Sequence, residues 1–384
     1  MLVIYLSLLL QFIYPPFVKT KIFGVDIFYY ILFVVLIEYI YVLFFDRKSI
    51  RINKYNIFAM LFSIFGFIII FLSIIGIHPF INNTEILVDK SYVIKQSYYF
   101  AFFPLFFIKN KSEIYKKIES IIYKNKLIIV LIMLLYSIYF EFNNYSTFVI
   151  GLVILYKMEK NKKDIALSII FIICLFIRFE QLTSLLLGIL FVVIFMFNTT
   201  NIKEKLYSII NYAFIFCVLF CFIVPFINYD FSNILDKNSN WRLLYWKDEL
   251  TQLIKTYGFG VGYGTSYATL EFAKKTALKP LGAFSANENY SVMQQIFVTG
   301  SHNSFISVAF RTGFVGALLF VSFVVNLSKE IMKNHSKLSA SIIFTFYASI
   351  IIIATNVGLE SPMYLTIFVF GVGSLLKELN EKIG

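Results

Sequence analysis

Residues 57–77 read IFAMLFSIFGFIIIFLSIIGI and contain no charged side chain. Because a bilayer span needs about 20 mostly apolar residues, this stretch predicts a transmembrane helix. The whole chain follows the same pattern, since 59% of its 384 residues are hydrophobic, only 15% are charged and its mean hydropathy is +0.79. A soluble core could not bury that much apolar surface, which excludes a soluble globular fold.

About a dozen runs of this kind predict an all-α polytopic membrane protein with about 12 transmembrane helices. We expect residues 1–384 to form a single integral membrane domain. The predicted spans lie near residues 2–17, 22–45, 57–77, 92–108, 127–142, 145–158, 165–177, 182–197, 206–227, 303–327, 338–355 and 362–376.

Short basic connections between the spans predict the orientation of the chain, because lysine and arginine accumulate on the cytoplasmic side. The basic residues of the first three loops are Arg47, Lys48, Arg51, Lys54, Lys109, Lys111, Lys116, Lys117, Lys124, Lys126, Lys157, Lys160, Lys162 and Lys163. The pattern places both termini in the cytoplasm and Arg178 in a short outer turn. Topology therefore explains most of the net charge of +12, and the dispersed basic residues do not form a nucleic-acid site.

One long polar insert, residues 228–302, is predicted as an extracytoplasmic loop between helices 9 and 10. Its residues 240–257 have apolar side chains at helical spacing, which predicts an amphipathic helix near the outer leaflet. Arg242, Trp246 and Glu249 share one side of that helix. They are candidate site residues, and an ordinary interfacial helix with anchoring Arg and Trp side chains is the alternative.

Four glycines alternate directly after this helix, in the sequence Gly-Phe-Gly-Val-Gly-Tyr-Gly over residues 258–264. Such a turn can bring backbone N–H groups close to phosphate oxygens, which makes Gly260, Gly262 and Tyr263 candidate substrate contacts. A flexible helix end and turn is the alternative, because the spacing differs from that of a dinucleotide-binding motif.

His302 is the candidate general base. It stands at the outer start of the tenth predicted span, where Ser301 is the candidate helix cap and the helix dipole disfavours the imidazolium form. A neutral imidazole there could accept a proton near neutral pH, whereas an interfacial histidine bonded to its neighbours is the alternative.

Arg311 lies about half a helical turn out of phase with His302, so we expect it to face away and to need another partner, such as Glu360.

These motifs together resemble the O-antigen ligase and O-antigen polymerase family of bacterial envelopes. The motifs that carry the resemblance are Arg178 in a short outer turn, Trp241-Arg242 with Trp246, the Gly-Val-Gly-Tyr-Gly-Thr stretch ending at Thr265, and Ser-His302-Asn303 with Gly313. The resemblance implies a membrane glycosyltransferase that takes a glycan from an undecaprenyl-diphosphate carrier at the outer face and joins it to an acceptor. It implies no nucleotide sugar, no cofactor and no metal.

The resemblance also implies a catalytic set of Arg178, Arg242 and His302. Two guanidinium groups can bind a diphosphate leaving group without a metal ion. The histidine would accept the proton of the attacking hydroxyl, and we expect inversion at the anomeric carbon by direct displacement. Substrate contacts would come from other residues, namely Asn303, Trp241, Trp246, Gly260, Gly262, Tyr263 and Glu249.

Three activities remain as alternatives. A polymerase transfers the growing chain to the next lipid-linked unit, whereas a ligase moves the finished polymer to lipid A core. Relatives often carry Ser-Arg where this chain has Thr183-Ser184-Leu185, and this departure favours the polymerase. A polysaccharide flippase would need charged groups near the bilayer midplane, for which Glu38 is the main candidate.

The resemblance further implies a location in the bacterial inner membrane, with the site facing the periplasm or the cell exterior. The implied partners are the undecaprenyl-diphosphate-linked oligosaccharide, membrane lipid and a chain-length regulator protein. Nucleic acid is not expected as a partner.

Overall fold

The computed structural model describes residues 20–108, 182–197, 203–227, 237–277, 292–298, 302–356 and 358–382, with the isolated residues 124, 125, 128, 131 and 300. Within these residues the regular structure is helical apart from one short hairpin. The strands and α-helices are β1 Lys21–Ile22, β2 Val25–Asp26, α1 Ile27–Phe45, α2 Ile57–Ile75, α3 Val93–Ser97, α4 Leu182–Phe197, α5 Lys203–Ile223, α6 Lys237–Lys255, α7 Leu270–Ala277, α8 Val292–Val298, α9 Ser304–Asn334, α10 Ala340–Thr355 and α11 Pro362–Lys382.

Five of the described helices are long and apolar enough to cross a membrane. They are α1, α2, Lys205–Phe226 at α5, α9, and Pro362–Glu381 in α11. The protein is therefore a mostly helical membrane protein, as predicted. The number of 12 spans and the placement of the termini stay predictions. The predicted spans that lie outside the described residues are 2–17, 127–142, 145–158 and 165–177.

The predicted span 92–108 is not a continuous α-helix. It forms α3 and then a 3-10 helix, Tyr98–Phe106, that contains Pro104. Proline has no amide hydrogen and its ring crowds the preceding turn, so an α-helix does not continue through it unperturbed. The segment is buried, and Gly66 of α2 leaves the space that the Phe100 ring fills. The segment is helical, but it changes from an α-helix to a 3-10 helix, which hydropathy does not indicate. That it crosses a membrane stays a prediction.

The core surrounds α9, which contacts α2, α5, α6 and α10. Aromatic rings fill much of it. Phe320 of α9 lies 5.3 Å from Phe62 of α2 and 6.2 Å from Phe103 of the 3-10 helix, measured between ring centroids. Such ring pairs bury large apolar areas and dominate the energy of packing. The long helix α9 is thus held between the elements that come before and after it in the chain.

A kink interrupts α9 at Gly313, whose φ of +72° and ψ of −174° are not helical. In a straight helix each backbone N–H binds the carbonyl four residues earlier, and a kink removes some of these partners. The glycine turn, residues 258–264, supplies replacements. The hydrogen bonds are Phe314 N to Gly258 O (2.9 Å), Val261 N to Phe310 O (2.8 Å) and Gly262 N to Arg311 O (3.0 Å).

Glycine is required on both sides of this contact. Gly260 and Gly313 have positive φ, and a Cβ atom at Gly260 would lie 2.4 Å from the backbone N of Gly313. The turn follows α6, which begins at Lys237 rather than at residue 240. Gly258 N donates to Leu253 O at 3.1 Å, the bond that closes a Schellman motif at the end of this helix. The long-loop helix is therefore packed on α9 and tied to its kink.

Candidate active site

His302 lies directly before α9, in the left-handed region with a φ of +59°. Asn303 is the N-cap of the helix, and its Oδ1 accepts hydrogen bonds from Phe305 N at 3.0 Å and from Ile306 N at 3.3 Å. The helix is therefore capped by Asn303 and not by Ser301, because the extended backbone of Asn303 aims its side chain at the free amides. This cap fixes the direction in which the chain enters α9 and so positions His302.

The ring of His302 packs against α6. Trp241 meets it edge to face, with ring centroids 5.5 Å apart and an interplanar angle of 89°. Within the described residues, Nδ1 of His302 is buried and has no hydrogen-bond partner. Leaving such a nitrogen unpaired is unfavourable, so a bound hydroxyl group that paired with the ring would be stabilised.

The imidazole is neutral at physiological pH. Burial, and then the nearby charge of Arg242, lower the pKa of His302 from its usual 6.5 to about 4. The helix dipole was the expected cause of the neutral form, whereas burial and Arg242 are the causes found. A neutral ring can accept a proton, and a bound anion would raise its pKa again.

Arg242 lies next to Trp241 on α6 and reaches the end of α10. Its Nη1 donates to the carbonyl of Thr355 at 3.3 Å, and its guanidinium carbon is 6.0 Å from the centroid of the Trp241 ring. The hydroxyl of Thr183, in α4, donates to the Thr355 hydroxyl at 2.7 Å. Four helices therefore meet at this point: α4, α6, α9 and α10.

Arg178, the second predicted arginine of the catalytic set, lies outside the described residues. The structure brings together His302, Arg242 and Trp241 and leaves Arg178 a prediction. Thr183 and Thr355 were missed by sequence reasoning. Single threonines at the ends of apolar helices give no local signal, and their contact joins residues that are distant in the sequence.

Trp246 and Glu249 lie on the packed side of α6. Trp246 is half-buried against an apolar cluster that includes Leu250 and Ile306, and Glu249 is fully buried. Burial, and then the charge of Glu249, raise the pKa of Tyr245 well above its usual value. Trp246 therefore has a packing role in this conformation, and substrate contacts through Trp246 and Glu249 stay a prediction.

The amides of the glycine turn are occupied by protein acceptors. The hydrogen bonds are Gly260 N to Thr256 Oγ1 (3.1 Å), Gly262 N to Arg311 O (3.0 Å), Tyr263 N to Ser73 Oγ (2.9 Å) and Gly264 N to Gln96 Oε1 (2.8 Å). Tyr263 is fully buried, and its hydroxyl lies 2.6 Å from that of Tyr99. In this conformation Gly260, Gly262 and Tyr263 offer neither a free amide to a phosphate nor a ring face to a sugar.

Arg311 is fully buried and is bonded to the segment that follows the glycine turn. Its Nη1 donates to the carbonyl of Thr265 at 2.9 Å, and its guanidinium carbon lies 4.0 Å from the centroid of the Tyr267 ring. Glu360, the partner suggested from the sequence, lies close enough for the charges to interact. Burial raises the pKa of the Glu360 carboxyl, and the Arg311 charge opposes that rise. Arg311 therefore joins the long loop to α9 and does not take part in the His302 cluster.

Comparison with known proteins agrees with the motifs. A family model described as O-Antigen ligase matches residues 146–321, a range that includes Arg178, the glycine turn and His302. The match confirms the family resemblance predicted from the sequence. A search of curated proteins finds no match.

Proposed function

We propose that this membrane protein, whose residues 146–321 match the O-antigen ligase family, is a glycosyltransferase that polymerises O-antigen or capsular repeat units. It would transfer a glycan from an undecaprenyl-diphosphate carrier to the acceptor hydroxyl of another lipid-linked unit, at the outer face of the bacterial inner membrane. The main observation that supports this proposal is that Arg242, Trp241 and a neutral His302 lie together where α6 packs on α9.

Arg242 would hold the diphosphate of the donor. As the bond between sugar and diphosphate breaks, the leaving group gains negative charge, which a guanidinium group stabilises through charge-assisted, bidentate hydrogen bonds. Arg178 would supply the second guanidinium group. Its support is indirect: α4 follows it in the chain and contacts Thr355, whose carbonyl accepts from Arg242. Two arginines would neutralise the diphosphate without a metal ion.

His302 would accept the proton of the attacking hydroxyl. The hydroxyl oxygen forms a bond to the anomeric carbon, the bond to the diphosphate breaks, and undecaprenyl diphosphate leaves with the bonding electrons. The proton passes to the imidazole. The diphosphate charge would raise the pKa of His302 from about 4, so donor binding itself makes the ring a stronger base. One direct displacement inverts the configuration of the anomeric carbon.

Trp241 is the side chain best placed to contact a sugar, because it is half-buried and touches the His302 ring. An indole face can stack on the apolar face of a sugar. Asn303 would orient His302 through its cap, and its buried amide nitrogen, which has no hydrogen-bond partner among the described residues, would donate to the substrate. Tyr263 is fully buried, so a sugar contact through it would require a rearrangement of the loop, whereas Trp246 is half-buried against an apolar cluster.

A ligase is the second candidate, because the matched family carries that description. A ligase would use Arg242 and His302 in the same way and would transfer the finished polymer to lipid A core. The sequence Thr183-Ser184-Leu185 at the start of α4, where relatives often carry Ser-Arg, favours the polymerase. The proposed partner proteins include a chain-length regulator.

Deletion of the gene, followed by gel electrophoresis of surface polysaccharide, separates the candidate activities. A core that bears one repeat unit indicates a polymerase. Bare core with lipid-linked polymer accumulating outside indicates a ligase, and units trapped inside the cell indicate a flippase.

Complementation of the deletion tests the residues. We expect Arg242→Ala and His302→Ala to restore no polymer, whereas Lys247→Ala should restore it fully. Lys247 is an exposed cation on the same helix and is the matched control. A variant of Arg242 or His302 that inserted normally and gave full polymer output would refute the mechanism.

A further inference from the structure

A second polar site lies far from His302 along the long axis of α9. Asn326 of α9 donates through Nδ2 to the carbonyl of Lys54 at 2.8 Å, in the connection between α1 and α2. At 1.5 Å per residue, Asn326 is about 30 Å from the start of α9. That length is close to the thickness of a bilayer core, about 30 Å. This separation agrees with the orientation predicted from the basic residues, which puts the connection between α1 and α2 on the cytoplasmic side and His302 on the outer side.

A cavity of about 270 Å³ opens at this face. It lies between the connection from α1 to α2, the end of the 3-10 helix Tyr98–Phe106 and the last turns of α11. Because about 10–15 Å³ of such accessible space holds one water molecule, the cavity has room for a phosphate group. One part of its lining is polar and carries Arg51, Lys377, Asn380 and Glu381, while another part is apolar and includes Leu376.

The walls of this cavity are held together by hydrogen bonds between its three segments. Arg51 N donates to Phe107 O at 2.7 Å, and Asn56 Nδ2 donates to Arg51 O at 2.8 Å. Asn53 Nδ2 donates to Asn380 Oδ1 at 2.8 Å and so joins the connection to α11. The cavity is therefore formed before any ligand enters, as is usual for small-molecule sites.

Of the four basic residues of this connection, only Arg51 lines the cavity. Arg47 donates through Nε to Leu43 O at 2.7 Å, and Lys54 lies over the Tyr55 ring, 4.9 Å from its centroid. Among the described residues, the Arg51 side chain forms no hydrogen bond or ion pair. A guanidinium group with a second cation, Lys377, in the same lining favours an anionic oxygen ligand.

We propose that this cavity binds the phosphate headgroup of a phospholipid in the leaflet opposite the catalytic site. Arg51 contacts the phosphate oxygens, and the apolar part of the lining takes the first carbon atoms of the lipid. Glu381 weakens the attraction because it places a like charge beside the phosphate. Inorganic phosphate shares the anionic group but has no apolar part, so the two ligands can be told apart.

Binding to the purified full-length protein in detergent tests this proposal, with a short-chain phosphatidylglycerol as the probe and inorganic phosphate beside it. We expect Arg51→Gln to weaken phosphatidylglycerol binding about tenfold, since a charge-assisted hydrogen bond is lost. Lys48→Gln is the matched control, because it removes the same charge from the same connection at a residue outside the cavity lining. It should leave the affinity within about twofold.

Glu381→Gln provides a second test, in which phosphatidylglycerol binding is expected to become tighter. A variant that damaged the fold would weaken binding and could not give this result. Glu381→Gln removes the repelling carboxylate, and we expect it to tighten phosphatidylglycerol binding about threefold. Equal affinities for Arg51→Gln and Lys48→Gln would overturn the site. Inorganic phosphate binding as tightly as phosphatidylglycerol would overturn the lipid as its ligand. Either result would leave the transferase proposal untouched, because polymer output is measured separately.

Discussion

The glycine turn and the His302 site both contain residues with positive φ, and both lie where the long loop meets α9. They differ in whether their polar groups have hydrogen-bond partners. In the turn, each amide from Gly258 to Gly264 donates to a protein acceptor. At the other site, Nδ1 of His302 is buried without a partner among the described residues, beside the charge of Arg242.

Under the proposed mechanism, this difference separates the structural role of the glycine turn from the chemical role of His302. Backbone groups that are fully paired stabilise one conformation, and removal of a pair is expected to change folding. A buried ring with an unsatisfied nitrogen destabilises the empty protein slightly and is retained where it serves a ligand. Variants in the glycine turn should therefore lower stability, whereas variants at the His302 site should lower the rate of glycan transfer.

The largest expected effect is on catalysis. His302→Asn should lower the rate of glycan transfer by about 100-fold or more, because asparagine cannot accept the proton. Asparagine tolerates the left-handed backbone at this position, so the thermal midpoint should change little. The initial rate with a lipid-linked donor and the unfolding midpoint of the purified protein check both parts. A rate within threefold of the wild type would remove His302 from the chemistry.

The glycine turn should show the opposite behaviour. Gly260→Ala adds a Cβ atom 2.4 Å from Gly313 N at a φ of +82°, and we expect it to lower the free energy of unfolding by about 3 kcal/mol. Gly24→Ala is the control, since its φ is +79° and no atom lies within 4 Å of the added carbon. It should lower that free energy by only about 1 kcal/mol. Equal losses would show that backbone strain, and not contact with the kink, makes Gly260 necessary.

Stability should also depend on pH through His302. Its pKa is about 4 in the folded protein and 6.5 when unperturbed. Between these values the unfolded chain binds more protons, so the free energy of unfolding falls as the pH is lowered through this window. We expect a loss of about 2 kcal/mol from pH 7 to pH 5 that is absent in His302→Asn. If the two proteins lose stability in parallel, His302 is not buried as a neutral ring.

The smallest effect concerns the cap. Asn303→Ala should lower the free energy of unfolding by about 1 kcal/mol, whereas Asn303→Ser keeps a capping oxygen and should lower it by a few tenths. Transfer rates of the Ser variant then separate the two roles proposed for Asn303. A normal rate means that the residue acts through the cap alone, and a rate reduced about tenfold means that its amide contacts the substrate.

Five of the predicted spans correspond to described helices that are long and apolar enough to cross a bilayer, because an apolar run of that length is a local feature of the sequence. The run predicted at 303–327 is the apolar part of α9, which continues to Asn334. Hydropathy marks only the apolar residues, and a helix can extend beyond them into water. Apolar composition likewise does not distinguish an α-helix from the 3-10 helix that the segment 92–108 contains.

The contacts of the candidate site could not be predicted from the sequence, and the roles of its residues stay predictions. Trp241, Arg242 and His302 carry side chains whose chemistry suits a diphosphate and a hydroxyl group, and the family resemblance joined them. The carbonyl of Thr355 that accepts from Arg242 carries no such signal, because any residue supplies a carbonyl. The kink at Gly313 could not be predicted from the sequence either. A small residue in a helix predicts close packing, but it does not show that the backbone departs from helical geometry, as it does at Gly313.

The kink also has a mechanical consequence. It divides α9 into a short segment, which follows Asn303 and is bonded to the long loop, and a longer segment that packs among the apolar helices. Because three backbone hydrogen bonds to the glycine turn hold the kink in one conformation, a bilayer that becomes thinner or thicker would tilt α9 and the long loop together. The spacing between Trp241 and His302 would then stay constant, so transfer rates should vary little with the acyl-chain length of the surrounding lipids.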